Sequence, residues 1–328
     1  MDGLEGVQPE LLFTGMSTAP IELHLIAAAK ARGVQTVMLV NARITIPVLL
    51  SVDEGDWPET FFASTPEIQQ RLANATHTQA NAIQLVGSSH LEKLSENASV
   101  LRNSRDRLQQ RMDAFQVLET QKLHKGASAV RVSYFTGSPS TTEHVETLNA
   151  LLRLLTSWML EHITTVIRLV VRVHPRTTSD IVANLQEECD KAFHTISGAW
   201  VTMEMPPLSE DTLSNHELLV ASDFSLSVIS TMSLESVFLK TPTAFMMIGH
   251  TPSHQREANA YVDFEYGVLP AVPRLLDDSD LLRFIDNVLS HDPATAATAE
   301  EDVTARNGRD GNIRALDRTI AAVYALLL

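Results

Sequence analysis

Val166–Arg176 reads VIRLVVRVHPR. From Val166 to Val173 the run is almost entirely β-branched or leucine, broken only by Arg168 and Arg172. A strand apolar at successive rather than alternate positions is covered on both faces, the pattern of parallel sheets wrapped by helices. It ends in His174-Pro175-Arg176. Upstream, Ala129–Phe135 predicts a strand, Thr136–Thr142 (TGSPSTT) a hydroxyl-rich loop, and Leu148, Leu151, Leu152, Leu155 and Met159 one helical stripe. Downstream the reading predicts a helix over Ser179–Ala192, a strand over Trp200–Met203, and a helix over Ser209–Val220. Then come a strand over Asp223–Ile229, a turn at Ser230-Thr231, a short helix over Met232–Leu239 and a strand over Thr243–Ile248. Helices over Ser279–Leu289 and Arg314–Leu327 flank an Ala-, Thr- and acid-rich stretch, Asp292–Gly311.

The first third repeats the rhythm. Leu11–Phe13 reads as a strand, Thr14–Thr18 (TGMST) as a small-residue turn, and a helix starts at about Pro20, where the missing N–H of proline costs nothing. Gly33 ends that helix and Val37–Val40 is the next strand. Thr60–Ala63 and Ala82–Val86 are two more strands, joined by a helix that Thr65 caps. Leu91–Phe115 is helical but polar, so it reads as exposed or domain-bridging. With a boundary near Lys122–Gly126, the expectation is α/β with two Rossmann-like domains facing a cleft. These are residues 1–124, a reduced acceptor domain, and residues 125–328, a nucleotide-donor-binding domain.

Composition removes several classes. The 328 residues carry a net charge of −15, a field that repels phosphate backbones and anionic lipid, so nucleic acid is not an expected partner. The single Cys189 excludes a disulfide framework and a Cys-based zinc site. No apolar run approaches the roughly 20 residues of a spanning helix, and no basic segment precedes an apolar one near residue 1. A cytoplasmic location is expected, and the sequons at Asn74 and Asn97 then carry no meaning.

The residues that could do chemistry cluster in the second half. His174 and Ser230-Thr231 each follow a buried strand, and ligands of open α/β sheets bind beyond those ends. The helix after Thr231 would turn its free N–H groups toward the same crevice, which suits a phosphate. Glu235, one turn in, can accept from ribose hydroxyls. Arg172 and Arg176 offer charge to a diphosphate, and Thr136-Gly137 and Thr14-Gly15 are the best loop candidates. The turn after the first strand is not GxGxxG, and no P-loop or GxSxG is present. His250 and His254 have i, i+4 spacing but no third ligand, so no metal site is expected.

VVRVHPR (170–176) followed by ASDFSLSVISTMSLESVFLKTPT (221–243) resembles the C-terminal domain of GT-B-fold glycosyltransferases, nearest to bacterial capsule and surface-polysaccharide transferases of the sialyl-, Kdo- and glycerophosphate-transferase kinds. The pattern is a His-Pro, an acidic residue before a strand, a Ser-Thr, a Glu and a Pro before the next strand. Here these are His174-Pro175, Asp223, Ser230-Thr231, Glu235 and Pro242. More weakly, residues 14–40 resemble the N-terminal half of that superfamily.

The resemblance implies a metal-independent glycosyltransferase with no cofactor beyond its donor, a nucleotide-activated sugar, with CMP- and CDP-linked donors among the candidates. His174 and Ser230-Thr231 would hold the phosphate and Glu235 the ribose. Met203–Leu208 would line the base pocket. Asp53-Glu54-Gly55 resembles the acidic motif that supplies the catalytic base in bacterial sialyltransferases, which assigns that role to Glu54 beside Asp53; His24 is the alternative. The acceptor and the oligomeric state are open. The rival readings are a UDP-N-acetylglucosamine 2-epimerase-like isomerase, whose extra acidic residues and His-Arg loop are not placed in this sequence, and a non-catalytic nucleotide- or glycan-binding partner.

Overall fold

In the computed structural model every paired strand among the described residues runs parallel to its neighbours. The structure describes residues 9–15, 20–40, 57–76, 82–114, 128–137, 143–193, 196–206, 208–228, 230–251, 272–290 and 315–327. Parallel strands need a crossover between them, and the amphipathic segments supply it.

The first sheet has four strands in the order β1 (Leu11–Thr14), β2 (Gln35–Val40), β3 (Thr60–Ala63) and β4 (Ile83–Leu85). Helix α1 (Pro20–Lys30) links the first two and α2 (Pro66–Thr76) the last two. The expected cap is present: Thr65 Oγ1 accepts from the Ile68 N–H at 3.2 Å.

The second sheet has six strands in the order β10-β9-β8-β5-β6-β7. They are β5 (Ser128–Phe135), β6 (Thr165–Arg172), β7 (Trp200–Glu204), β8 (Phe224–Ser227), β9 (Thr243–Met246) and β10 (Arg274–Leu275). The strand of the opening motif, β6, is buried over seven of its eight residues, as its unbroken apolar run requires. The leucine stripe lies on α5 (Glu143–Glu161), which packs on β6, and Leu148, Leu151 and Leu155 join one buried core with residues of β5, β6 and β8. Each fully buried leucine contributes about 1.5–3 kcal/mol.

Two expectations are revised. Leu91–Phe115, expected as one helix, forms two: α3 (Ser89–Asn103), whose chain passes from the first compact unit into the second, and α4 (Arg105–Ala114). The second buries only Leu108 and Met112 and is otherwise docked by charge on the large sheet and α7 (Asn215–Ala221). Asp113 bonds Arg131 and Arg168, Arg111 bonds Glu217, and Gln109 donates to the Ala221 carbonyl. Hydropathy patterning reads only apolar contact, so a helix docked by ion pairs looks solvent-facing. The expected helix over Ser209–Val220 shortens to α7 (Asn215–Ala221), because Ser214 and Glu217 close a capping box at its start.

The remaining helices are α6 (Ser179–Lys191), α8 (Thr231–Phe238), α9 (Asp278–Leu289) and α10 (Ala315–Leu327). Helix α10 packs Ala322, Val323 and Leu326 on Val37, Phe62 and Val86 of the first sheet, and Glu92 accepts from its Ala315 N–H at 2.6 Å. The compact units are therefore Met1–Lys93 with Asp302–Leu328, and Leu94–Glu301. They differ from the expected residues 1–124 and 125–328: α4 falls in the second unit and α10 in the first. The chain is α/β with two Rossmann-like units of the GT-B-like fold class, the first being smaller.

Candidate functional site

Register defines the site. Phe135, the last residue of β5, pairs with Arg172 on one side and with Ser227 on the other. Three adjacent parallel strands thus end level, and the residues that follow them share one edge: Thr136-Gly137, His174 and Ser230-Thr231. With about 4.8 Å between neighbouring strands, the ends of β6 and β8 stand roughly 10 Å apart across β5.

His174 sits on that edge, half-buried and outside the core. The Thr136 Oγ1 accepts from its backbone N–H at 2.9 Å, while the Thr136 N–H donates to the Arg172 carbonyl at 3.1 Å. The β5 loop therefore positions the β6 loop. The ring Nδ1 accepts from the Arg176 N–H at 3.2 Å, so the neutral imidazole carries its proton on Nε2. Burial lowers the pKa of His174, and the nearby Arg176 and His144 lower it further. The ring is thus a neutral N–H donor at pH 7.

Ser230 caps α8, its hydroxyl accepting from the Met232 N–H at 3.2 Å. Thr231 is exposed at the first helical position. Serines fasten this helix to β8: Ser225 bonds Ser236 at 2.9 Å, and Ser227 bonds Ser233. The alternation in Phe224-Ser225-Leu226-Ser227, answered by Ser233 and Ser236 at helical spacing, is the sequence signal for that clamp.

The next strand adds Gly249-His250-Thr251. Gly249 has φ +87°, and a Cβ there would meet the backbone of Glu146 and Thr147 at 3.1 Å, so only glycine lets this loop lie on the first turn of α5. His250 Nδ1 donates to Glu143 Oε2 at 3.2 Å. Burial lowers the pKa of His250, His144 lowers it further, and Glu146 opposes. The pKa values of His174 and His250 both lie below the ordinary value of about 6.5. The unfolded chain therefore binds the extra protons, and this stability is complete above about pH 6.5 and lost as the pH falls below it. Melting temperature should drop between about pH 7.5 and 5.5. His250→Asn should flatten that drop, and an unchanged slope would refute the assignment.

Other expected residues are placed differently. Glu235 is buried in α8, and His216 Nε2 lies 2.6 Å from its Oε2. His216, on α7, was not singled out in the sequence. Its link to Glu235 joins two helices, and no spacing rule reports that. Arg172 is not open to a ligand: it is buried and bonded to Glu204, Asn215 and the Leu213 carbonyl. Arg176 is exposed. Asp223 lies at the opposite, amino end of β8, bonded to Arg105 and to the Arg131 N–H at 2.8 Å each, so its part in the motif is structural. The Val173 N–H donates to the Glu204 carbonyl at 2.9 Å, which brings the start of Met203–Leu208 beside the His174 turn.

In the first unit Thr14 Oγ1 donates to the Val37 carbonyl at 3.3 Å, and His24 is on the exposed face of α1. Asp53, Glu54 and His254 lie outside the described residues.

No protein-family model matches the sequence, and no curated protein does. Similar solved structures exist at low identity. UDP-GlcNAc 2-epimerase from Methanocaldococcus jannaschii, solved with UDP-GlcNAc and UDP, has a TM-score of 0.58 at 12% identity; 98% of this chain and 77% of that one are covered. The N-terminal domain of Candida albicans trehalose-6-phosphate phosphatase gives 0.58 at 11%, over 98% and 71%. An α,α-trehalose-phosphate synthase (UDP-forming) from Burkholderia xenovorans, in complex with glucose-6-phosphate, gives 0.57 at 11%, over 98% and 74%. At these identities the likeness establishes the fold.

Proposed function

We propose that this chain is a metal-independent transferase that moves a sugar or sugar-like group from a nucleotide-activated donor to an acceptor hydroxyl. The observation that carries the reading is the level ending of β5, β6 and β8, which brings Thr136-Gly137, His174 and Ser230-Thr231 to one edge. A phosphate or diphosphate lying across β5 is within reach of the His174 Nε2–H on one side and of the Thr231 hydroxyl and the first N–H groups of α8 on the other. When the bond from the anomeric carbon to the donor oxygen breaks, negative charge develops on the leaving phosphate. These donors and Arg176 meet it without reorganising. The acceptor oxygen forms the new bond and gives its proton to a base, assigned to Glu54 with Asp53 adjacent. Glu235 would release His216 to take the ribose hydroxyls, and Met203–Leu208 would present backbone to the base. Within this class the sequence resemblance favours the surface-polysaccharide transferases and a CMP- or CDP-linked donor.

The similar structures include UDP-GlcNAc 2-epimerases, which favours a second reading, epimerisation of a nucleotide sugar without an acceptor. In both readings the nucleotide occupies the same edge.

Thermal-shift titration with CMP, CDP, UDP and GDP tests that shared step. At a hundredfold excess over Kd, the matching nucleotide should stabilise the protein by about 2.7 kcal/mol. A shift from none of the four defeats both readings. Donor turned over only when an acceptor hydroxyl is supplied supports transfer, whereas an epimerised donor in its absence supports the second reading.

A further inference from the structure

The opposite, amino edge of the large sheet carries its own cavity, of about 220 Å³. Asp223, which precedes β8, and Pro242, which precedes β9, both line it. Four-residue strands separate this edge from the carboxyl edge by roughly 13 Å, so the two sites are distinct. Around the cavity stand Arg102, Arg105 and Lys240, with Asp223 the one carboxylate among the lining residues. In a chain of net charge −15 that is a local reversal of sign. Asp223 spends one oxygen on the Arg131 N–H and the other on Arg105, at 2.8 Å each. The Arg105 Nη2 also reaches the Ser222 carbonyl at 3.3 Å, which holds the guanidinium beside the cavity.

Lys240 is the second observation. Helix α8 ends in a Schellman motif, the Lys240 N–H reaching the Val237 carbonyl at 3.0 Å and the Thr241 N–H reaching the Ser236 carbonyl at 2.9 Å. Lys240 fills the left-handed position of that motif with φ +58°, where glycine carries no steric penalty. The turn sets Lys240 on the rim of the cavity, between Leu239 and Thr241.

We propose that this cavity binds a phosphoryl dianion, as free phosphate or on a small phosphorylated metabolite. Arg102, Arg105 and Lys240 supply the charge-assisted donors. Its volume is below the about 300–1,000 Å³ typical of drug-sized ligands, so it suits a phosphoryl group with a few attached carbons rather than a nucleotide sugar.

The full chain is titrated with sodium phosphate and with methyl phosphate, following melting temperature against sodium chloride of equal ionic strength. Phosphate should stabilise beyond chloride. Arg102→Gln and Lys240→Gly should each weaken the apparent affinity by about tenfold. Without phosphate, Lys240→Gly should raise the melting temperature by about 2–4 °C as the strain is relieved. His174→Ala removes the carboxyl-edge donor, and the phosphate response that remains should still be lost in Arg102→Gln/Lys240→Gly. Tighter binding of methyl phosphate indicates a metabolite, and equal binding indicates the free ion. A response no larger than that to chloride, or one kept in Arg102→Gln/Lys240→Gly but lost in His174→Ala, overturns the proposal.

Discussion

Arg172→Ala should destabilise the second unit by about 3 kcal/mol, the low end for a broken buried pair, because it strands a carboxylate that is only 17% exposed. Arg172 is 3% exposed, its Nη2 lies 2.6 Å from Glu204 Oε2, and its remaining bonds go to Asn215 and the Leu213 carbonyl. Burial lowers the pKa of Arg172 and raises that of Glu204, against the attraction between them. Desolvation therefore opposes the pairing at both partners. Without Arg172 the Glu204 carboxyl would rise further. The folded state then holds a proton that the unfolded chain releases, so the defect is smallest in acid and grows as pH increases. Melting curves of the variant between about pH 4.5 and 8 should show that trend, with a loss of roughly 10 °C at pH 7.5. Arg172→Met/Glu204→Leu should regain most of the stability, since an apolar pair of similar volume leaves no charge behind. A single variant within about 1 kcal/mol of the parent would show that water reaches Glu204 and that the pair is not what closes this end of the sheet.

His174→Ala should lower donor turnover by about 10²–10³-fold at saturating donor, as removal of one preorganised donor to a developing oxyanion does elsewhere. Thr136 fixes the backbone of the turn and the Arg176 N–H fixes the tautomer, so the Nε2–H is presented before any ligand arrives. His174→Gln, whose amide can offer an N–H near the same point, should recover part of the loss. Because the ring is neutral at pH 7, the parent rate should not depend on His174 protonation above about pH 6.5. Undiminished turnover by His174→Ala would remove this residue from the mechanism. Unchanged melting temperature alongside lost turnover would confirm that its role is chemical.

Much of the fold was legible in the sequence because apolar periodicity reports burial directly. The β6 run, the α5 stripe, the Thr65 cap and the Ser230-Thr231 turn are all local signals, and the structure carries each of them. The polar half was not legible. Helix α4 carries few apolar residues, yet it is docked through Asp113 and Arg111 onto partners remote in sequence. Arg172 and Arg176 flank the same motif and look alike as letters, but one is locked on Glu204 and the other is exposed. Asp223 precedes its strand as the motif order implies, but its partners Arg105 and the Arg131 N–H are remote in sequence. His216 gave no signal, since its partner Glu235 lies on another helix.

From residue order alone came the α/β class, the strand-and-helix alternation and the loops that hold polar residues, because backbone preference and burial are properties of neighbouring residues. Folding in three dimensions settled which strand ends lie level, which carboxylates and cations neutralise each other, and that α10 packs on the first sheet. Those outcomes depend on pairings across many tens of residues, and electrostatic partners leave no periodic trace in the chain.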